Sequence, residues 1–495
     1  MILQIMILYK KSSGIGERTM RFVGRKQELS RLKKEYDSNG FAFSVLFGRR
    51  RIGKTALLEA FIEGKDAVFY TGLAFTETDN IAGLSRQLND YLGRTEAAPL
   101  HQSYEQIFLE MADVARKKRL VVIIDEFPYL AKASPYLSSL IQRFVDHEWA
   151  KTKLHLILCG SSMSFMERQV LGAKSPLYGR RTSQIRLQPF RFHETIAYLD
   201  KMDAHDVAVL HEATGGVAEY LSFVDQSLSL QENLYRLFFR TDGRLYEEPA
   251  NLLLQELRQP KLYNSLLAAM AQGATKLNDI AMRIGLSTPN SLNHYLDNLT
   301  DLGIVKRESP IVGKQHRKTL YRIDDGCFRF WYRYVAKYMT AIELGRGETV
   351  VNDLVMRDLS NYMGAGFENI AYDVFDLLNT DDAWPDLITA RGRWWGNDPE
   401  LKQEEEIDLI GISDTVTIFA EMKWRNEPCS QKTLSELKRK SQLVESSSTF
   451  YVLFCKTGFT SALKNHAAAE ENIRLIDFQE IVKIVNKRAP VKILS

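Results

Sequence analysis

Cysteine is scarce in this chain: 495 residues contain four, Cys159, Cys327, Cys429 and Cys455. Their spacing fits neither a metal-binding motif nor a disulfide framework, so a reducing compartment, the cytoplasm, is expected. Long apolar runs are missing too, since none reaches the roughly 20 residues that cross a bilayer. The apolar opening at residues 1–9 has its lysines after it rather than before, and no small-residue cleavage site follows, so no signal peptide is expected. Net charge is nearly absent: 65 basic and 62 acidic residues leave +3. That balance neither requires nor excludes nucleic acid, and only local clusters bear on the question. What remains reads as a soluble chain with no membrane segment. Its 45% hydrophobic content suffices for about three domains, each burying a core of its own.

The apolar run 41–47 leads directly into Gly48-Arg49-Arg50-Arg51-Ile52-Gly53-Lys54-Thr55, a complete P-loop. Its glycines turn the chain and let successive N–H groups approach phosphate, Lys54 reaches the β- and γ-phosphates, and Thr55 ligates Mg²⁺. Helical spacing over 56–62 then points a helix N-terminus at the triphosphate. Further on, the short apolar run 120–124 ends in Asp125 and Glu126, as a parallel strand buried on both faces would. Paired with the P-loop, Asp125 is expected to hold the magnesium's water shell and Glu126 to polarise the attacking water. The implied ligands are ATP and Mg²⁺.

With Phe22-Val23-Gly24-Arg25 entering the first helix and Ile124-Asp125-Glu126-Phe127-Pro128 after the apolar run, the chain resembles prokaryotic AAA+-class ATPases related to the signal-transducing STAND NTPases. The resemblance implies an α/β fold over residues 20–245, a P-loop NTPase with an AAA+-like parallel sheet and a helical lid, and places the 22–25 element beside adenine. Such a domain usually begins there. Residues 1–19 therefore read as an extension, either an artefact ahead of a true start at Met20 or a flexible arm. The resemblance also implies a polar sensor at Ser161 or Ser162, a helix cap being the alternative for Ser162. Arg180 and Arg181 match arginines that sense or complete the triphosphate site, although adjacent loop arginines are also ordinary surface. In the lid, Gly215-Gly216 lacks the proline that follows in the family. Ala218 stands near its place, which leaves a nucleotide contact from this loop open.

Residues 255–340 show a helix from about Pro260, a second over 276–284, a turn at Gly285, and a third helix opened by Thr288-Pro289 with Leu292, Tyr295 or Leu296, Leu299 and Leu302 on its buried face. Two strands follow, at 304–308 and 319–323, which makes the whole a winged helix. Its strand-loop-strand segment carries Lys306, Arg307, Lys314, Arg317, Lys318 and Arg322 against Glu308, a charge suited to phosphate. Asn290, Asn293 and His294 are placed to reach base edges, while Asp297 and Asp301 dilute the surface. DNA contact and internal packing both remain open for this unit.

From about 345 to 495 the second chemical signal appears. Two apolar strands, 406–412 and 416–424, flank a turn at Ser413-Asp414 and carry Asp408, Glu421 and Lys423. Strand alternation puts Glu421 and Lys423 on one face and Met422 on the other. Clustered carboxylates suit Mg²⁺ or Mn²⁺, and Lys423 is placed to orient water or steady phosphate charge. This spacing resembles the PD-(D/E)xK nuclease fold, with Ile407 in place of the motif's proline and Glu368 matching an acidic residue that often precedes the core. Trp394 and Trp395 either stack on bases or pack, packing being expected. The full order, including residues 320–325 and 328–332, resembles archaeal-type ATPases with a C-terminal DUF234 domain. Two functions follow from these readings. One is an ATP-driven nucleic-acid enzyme whose P-loop domain gates a metal-dependent nuclease. The other is a STAND-like switch, in which nucleotide controls assembly with itself or a protein partner and the terminal module only binds.

Overall fold

A computed structural model describes residues 22–257, 259–313, 319–446 and 448–488. The expected extension, Met20, Lys314, Arg317 and Lys318 lie outside the described residues.

Five strands, β1 (Ala42–Phe47), β2 (Ala67–Thr71), β3 (Leu120–Asp125), β4 (Leu154–Gly160) and β5 (Ser183–Arg186), form a parallel sheet in the order β2-β3-β4-β1-β5. Every residue of β1, β3 and β4 is buried, which is why these segments read as near-continuous apolar runs, interrupted only by Ser44 and His155, which hydrogen-bond to each other at 2.9 Å. Period-two geometry sorts them by face: Phe43, Val45, Val122, Ile124, Leu156 and Leu158 join one core, and Leu46, Val121, Ile123 and Ile157 join the other. The P-loop follows β1 and runs into α1 (Lys54–Ile62). The carboxylates expected after 124 stand at the same end of the sheet, at the close of β3.

After the sheet the chain becomes helical, through α2 (Ala204–Thr214), α3 (Ala218–Ser222), α4 (Glu248–Glu256), α5 (Pro260–Ala271) and α6 (Leu277–Arg283). The helix expected from Thr288-Pro289 begins instead with a 3₁₀ turn, Pro289–Leu292, and becomes α7 over Asn293–Asp301. Thr288 makes no side-chain cap, which removes the contact that would have fixed an α-helical start there. Leu292, Leu296 and Leu299 are fully buried as the spacing required. Strands β6 (Val305–Glu308) and β7 (Leu320–Ile323) pair antiparallel and lead to α8 (Gly326–Phe330).

Residues 311 and 312, after β6, are docked. Ile311 N–H donates to Arg393 O at 3.0 Å, and Ile311 and Val312 pack against the C-terminal core. Of the cations expected to face phosphate, Arg322 donates to Glu406 at 3.0 Å and Lys306 pairs with Glu308 at 2.8 Å, while Arg307 stays exposed.

The C-terminal part is a long helix, α9 (Met356–Thr380), then β8 (Ala390–Asp398), β9 (Gln403–Ile412), β10 (Thr417–Lys423), α10 (Gln431–Ser441), β11 (Thr449–Cys455), α11 (Ser461–Ala469) and β12 (Ile473–Asp477). The sheet order is β12-β11-β10-β9-β8, antiparallel from β8 to β10 and parallel beyond. The turn expected at Ser413 is closed by Ser413 N–H to Val416 O, 3.0 Å, and Val416 N–H to Ser413 Oγ, 2.9 Å. Trp394 and Trp395 pack inside, 8% and 4% exposed.

The apolar core does not divide at the boundaries expected near 245–255 and 340–345. One cluster runs from Phe190 and Leu210 through Leu266, Leu296, Phe330 and Phe367 to Ile418 and Val485. The physical reason is α9 with the aromatic segment before it. Phe330 meets Phe238 and Tyr362, and Phe367 meets Trp424, so the lid helices and the second sheet share one interior. All four cysteines are buried, and Cys429 and Cys455, distant in sequence, bring their sulfurs to 2.8 Å. Among the described residues no helix is long and apolar enough to cross a membrane.

Candidate functional site

Positive φ at Arg51 (69°) and Gly53 (93°) coils the P-loop, and α1 starts immediately after it. Lys54, 6% exposed, donates to the carbonyls of Gly48 and Arg49 at 2.9 Å each, so its ammonium spans the loop. Burial pushes its pKa down, against the opposing pull of Cys159, Glu126 and Asp125. Thr55 Oγ1 donates to Asp125 Oδ2 at 3.1 Å, joining the loop to the end of β3. Glu126, left-handed at φ 50°, donates its N–H to Asp125 Oδ1 at 2.9 Å. Its carboxylate accepts from Ser161 Oγ at 2.7 and 2.8 Å, and from Ser161 N–H at 3.4 Å. Of the two serines offered by the sequence, Ser161 is therefore the one brought to the site. Ser162 begins a short helix without a side-chain cap.

A cavity of about 370 Å³ opens over the loop, lined by Phe22, Val23, Arg25, residues 50–56, Glu126, Phe190, Tyr198, Ala218 and Glu219. The 22–25 element thus reaches the P-loop. Gly24 has φ 74°, and a Cβ there would strike Glu194, whose Oε1 also accepts from Arg25 N–H at 3.2 Å. The Arg25 guanidinium donates to Ile52 O at 3.0 Å and lies 4.7 Å from the Phe190 ring centroid. The lid loop makes contact even without its proline, because Ala218 lines the cavity and Glu219 N–H donates to Arg51 O at 3.1 Å.

Of the two readings offered for Arg180 and Arg181, their surroundings in this chain fit the surface one. Arg180 is held by Asp146 at 2.7 and 2.8 Å and by the carbonyls of Pro176 and Tyr178, and the Arg181 guanidinium faces Tyr178. Neither lines the cavity. Asp146 stands 34 residues upstream of Arg180, a distance at which no spacing rule announces a partner.

The three loop arginines were not assigned roles from the sequence. Arg49 pairs with Asp325 before α8, and Arg51 with Glu248 at the start of α4. Arg50 meets Glu256 at 3.2 Å and Tyr129 Oη at 3.0 Å.

In the second sheet, β9 and β10 bring Asp408, Glu421 and Lys423 together. Lys423 Nζ lies 2.6 Å from Glu421 Oε1 and 3.8 Å from Asp408 Oδ2, and Asp408 Oδ2 also accepts from Met422 N–H at 2.9 Å. Burial pushes the Asp408 pKa up, with Glu421 and then Glu368 adding to the rise. Glu421 Oε2 is buried, with no hydrogen-bond partner among the described residues. Lys440 of α10, which no motif flagged, approaches Glu421 Oε1 at 3.4 Å. Glu368, the acidic residue ahead of the core, pairs with Arg393, whose guanidinium also holds Glu406. Among the described residues no group of three or more His, Cys, Asp or Glu side chains gathers as a metal cluster.

A family model described as an ATPase domain predominantly from Archaea matches residues 22–224, and a second, for archaeal and bacterial proteins of unknown function, DUF234, matches 331–440. An uncharacterized protein of Methanocaldococcus jannaschii is 33% identical over 428 residues, spanning 86% of this chain and 92% of that protein. The chain belongs to the archaeal-type ATPases with a DUF234 domain. A second protein of the same organism, an uncharacterized ATP-binding protein, matches this ATPase at 46% identity over 44 residues, 9% of the chain and 75% of that protein. Among solved structures, a Walker-type ATPase of Pyrococcus abyssi is similar at 18% identity and a TM-score of 0.49, covering 64% of this chain and 99% of its own. The ORC2 protein of Aeropyrum pernix, in ADPNP and ADP complexes, is similar at 14% identity and a TM-score of 0.43, covering 66% and 97%.

Proposed function

We propose that this ATPase binds ATP in the cavity between residues 22–25, the P-loop and the lid, and hydrolyses it. The observation that carries the reading is Glu126 anchored on Ser161, one residue from the Asp125 that meets Thr55. Lys54 would supply positive charge to the β- and γ-phosphates, and the backbone N–H groups of the loop would donate to phosphate oxygens. Ser161 fixes the Glu126 carboxylate so that one oxygen orients a water and takes its proton. The hydroxyl of Thr55 and the carboxylate of Asp125 are hard oxygen donors 3.1 Å apart, which fits Mg²⁺. When bound, that ion supplies charge neutralisation for the phosphates. Thr55→Val should therefore retain nucleotide while losing most of the gain in ATP affinity that added Mg²⁺ gives the wild type, read by titrating fluorescent ATP with and without chelator. Equal Mg²⁺ dependence in wild type and Thr55→Val would contradict this assignment.

We read residues 255–340 as a winged helix that packs internally through Ile311 and Val312. The 3₁₀ turn before α7 exposes Asn290, and α7 exposes Asn293 and His294, as a face for DNA.

A second reading concerns the terminal sheet. Glu421 Oε2, buried and without a hydrogen-bond partner among the described residues, stands beside Asp408 as an oxygen donor for Mg²⁺ or Mn²⁺, and Lys423 and Lys440 offset the carboxylates. In this reading the module cleaves phosphodiesters. Cleavage of single- or double-stranded DNA by the full chain with Mn²⁺ should fall about a hundredfold or more in Asp408→Ala. No cleavage by the wild type, with ATP present, would leave the ATPase as the catalytic centre and favour the nucleotide-controlled switch.

A further inference from the structure

We propose that α8 positions the nucleotide site, with Asp325 holding the P-loop through Arg49 and Arg329 holding the lid through Glu212. The inference rests on the nucleotide reading above and adds residues far outside the ATPase match, since Arg49 and Asp325 are 276 positions apart.

The contacts form a closed ring. The Arg49 side chain, 12% exposed, pairs with Asp325, whose side chain is 1% exposed. Asp325 Oδ1 also caps α8 by accepting from Phe328 N–H at 3.1 Å, and its own N–H joins that of Asp324 on Ile304 O. Four residues on, Arg329 pairs with Glu212 of α2, which is 3% exposed, and Asn369 of α9 adds a donor to the same carboxylate at 3.4 Å. Tyr362 Oη bridges the carbonyls of Glu212 and Gly326 at 3.0 and 3.1 Å. Contact is close enough that a Cβ on Gly326 would overlap Glu212 O, and one on Gly215 would come within 2.9 Å of Asp325 Oδ1. From α2 the chain turns through Gly215 into the lid loop, whose Glu219 N–H returns to Arg51 O, two residues beyond Arg49.

Buried ion pairs of this kind are held by the cost of exposing either partner alone. Because one short helix and its cap residue carry both pairs, the separation of P-loop and lid, which frame the cavity, is set by residues 325–329. This gives the aromatic and acidic run after β7 a role that its sequence alone does not assign.

Asp325→Asn keeps an oxygen to cap α8 and removes only the charge facing Arg49, so it separates positioning from folding. Its Kd for MgATP should rise about tenfold, and so should that of Arg49→Gln. The double variant should be no weaker than either single one, whereas Arg49→Lys should retain most of the affinity. As a control, Asp358→Asn breaks an ion pair with Arg333 outside this ring and should leave Kd unchanged. Melting temperatures taken alongside identify any variant that fails to fold, and the Arg49 pair of variants then carries the test. Additive losses, or unchanged Kd in folded Asp325→Asn or Arg49→Gln, would overturn the proposal. A wild type that binds no ATP would overturn the nucleotide reading instead.

Discussion

Lys54→Ala should lose tight MgATP binding, with Kd rising roughly a hundredfold or more. The ammonium sits inside the coil of the loop, donating to two of its carbonyls, so an anion entering there gains a charge-assisted partner already at hand. Two such bonds to phosphate oxygens, each worth about 1.5–3 kcal/mol, account for a change of that size. The fold should survive, because Lys54 packs at the first turn of α1 rather than in either apolar core. Equilibrium titration with a fluorescent ATP analogue checks it. Unchanged affinity in a folded Lys54→Ala protein would remove the P-loop assignment.

Glu126→Gln should bind ATP as the wild type does and lose turnover by about 10²–10⁴-fold, the range of a general base. The amide keeps the side chain's volume, and its carbonyl oxygen still accepts from Ser161, so geometry is conserved while basicity is not. Binding and steady-state phosphate release, measured on one preparation, separate the two effects. Wild-type turnover in Glu126→Gln would assign the water-orienting role elsewhere.

The parts of this site that could be read from sequence are local. A buried parallel strand writes itself as an unbroken apolar run, and the residues immediately past its end inherit a known place, which is how Lys54, Thr55, Asp125 and Glu126 were reached. Asp408, Glu421 and Lys423 were found together for a similar reason, since two adjacent strands and a short turn fix their register. What the sequence does not show depends on partners far along the chain. Arg180 could not be seen to belong to Asp146, nor Glu368 to Arg393, because ion pairs across a fold leave no periodic trace. The docking of Ile311 and Val312 was hidden in a loop that looked like a basic wing for DNA. The links from Arg49 to Asp325 and from Arg51 to Glu248 were equally silent, as arginines inside a glycine loop look like phosphate ligands before they look like tethers. The shared core had the same cause. Aromatic residues around 328–334 mark burial, but their pattern does not say that the lid is what covers them.

The central claim is that this chain hydrolyses ATP at the Lys54, Glu126 and Ser161 site. Release of labelled phosphate from γ-labelled ATP by the full wild-type chain tests it most directly. Release should be saturable, stop when Mg²⁺ is chelated and be lost in Glu126→Gln. Phosphate release no faster than that of Glu126→Gln at saturating MgATP would contradict it.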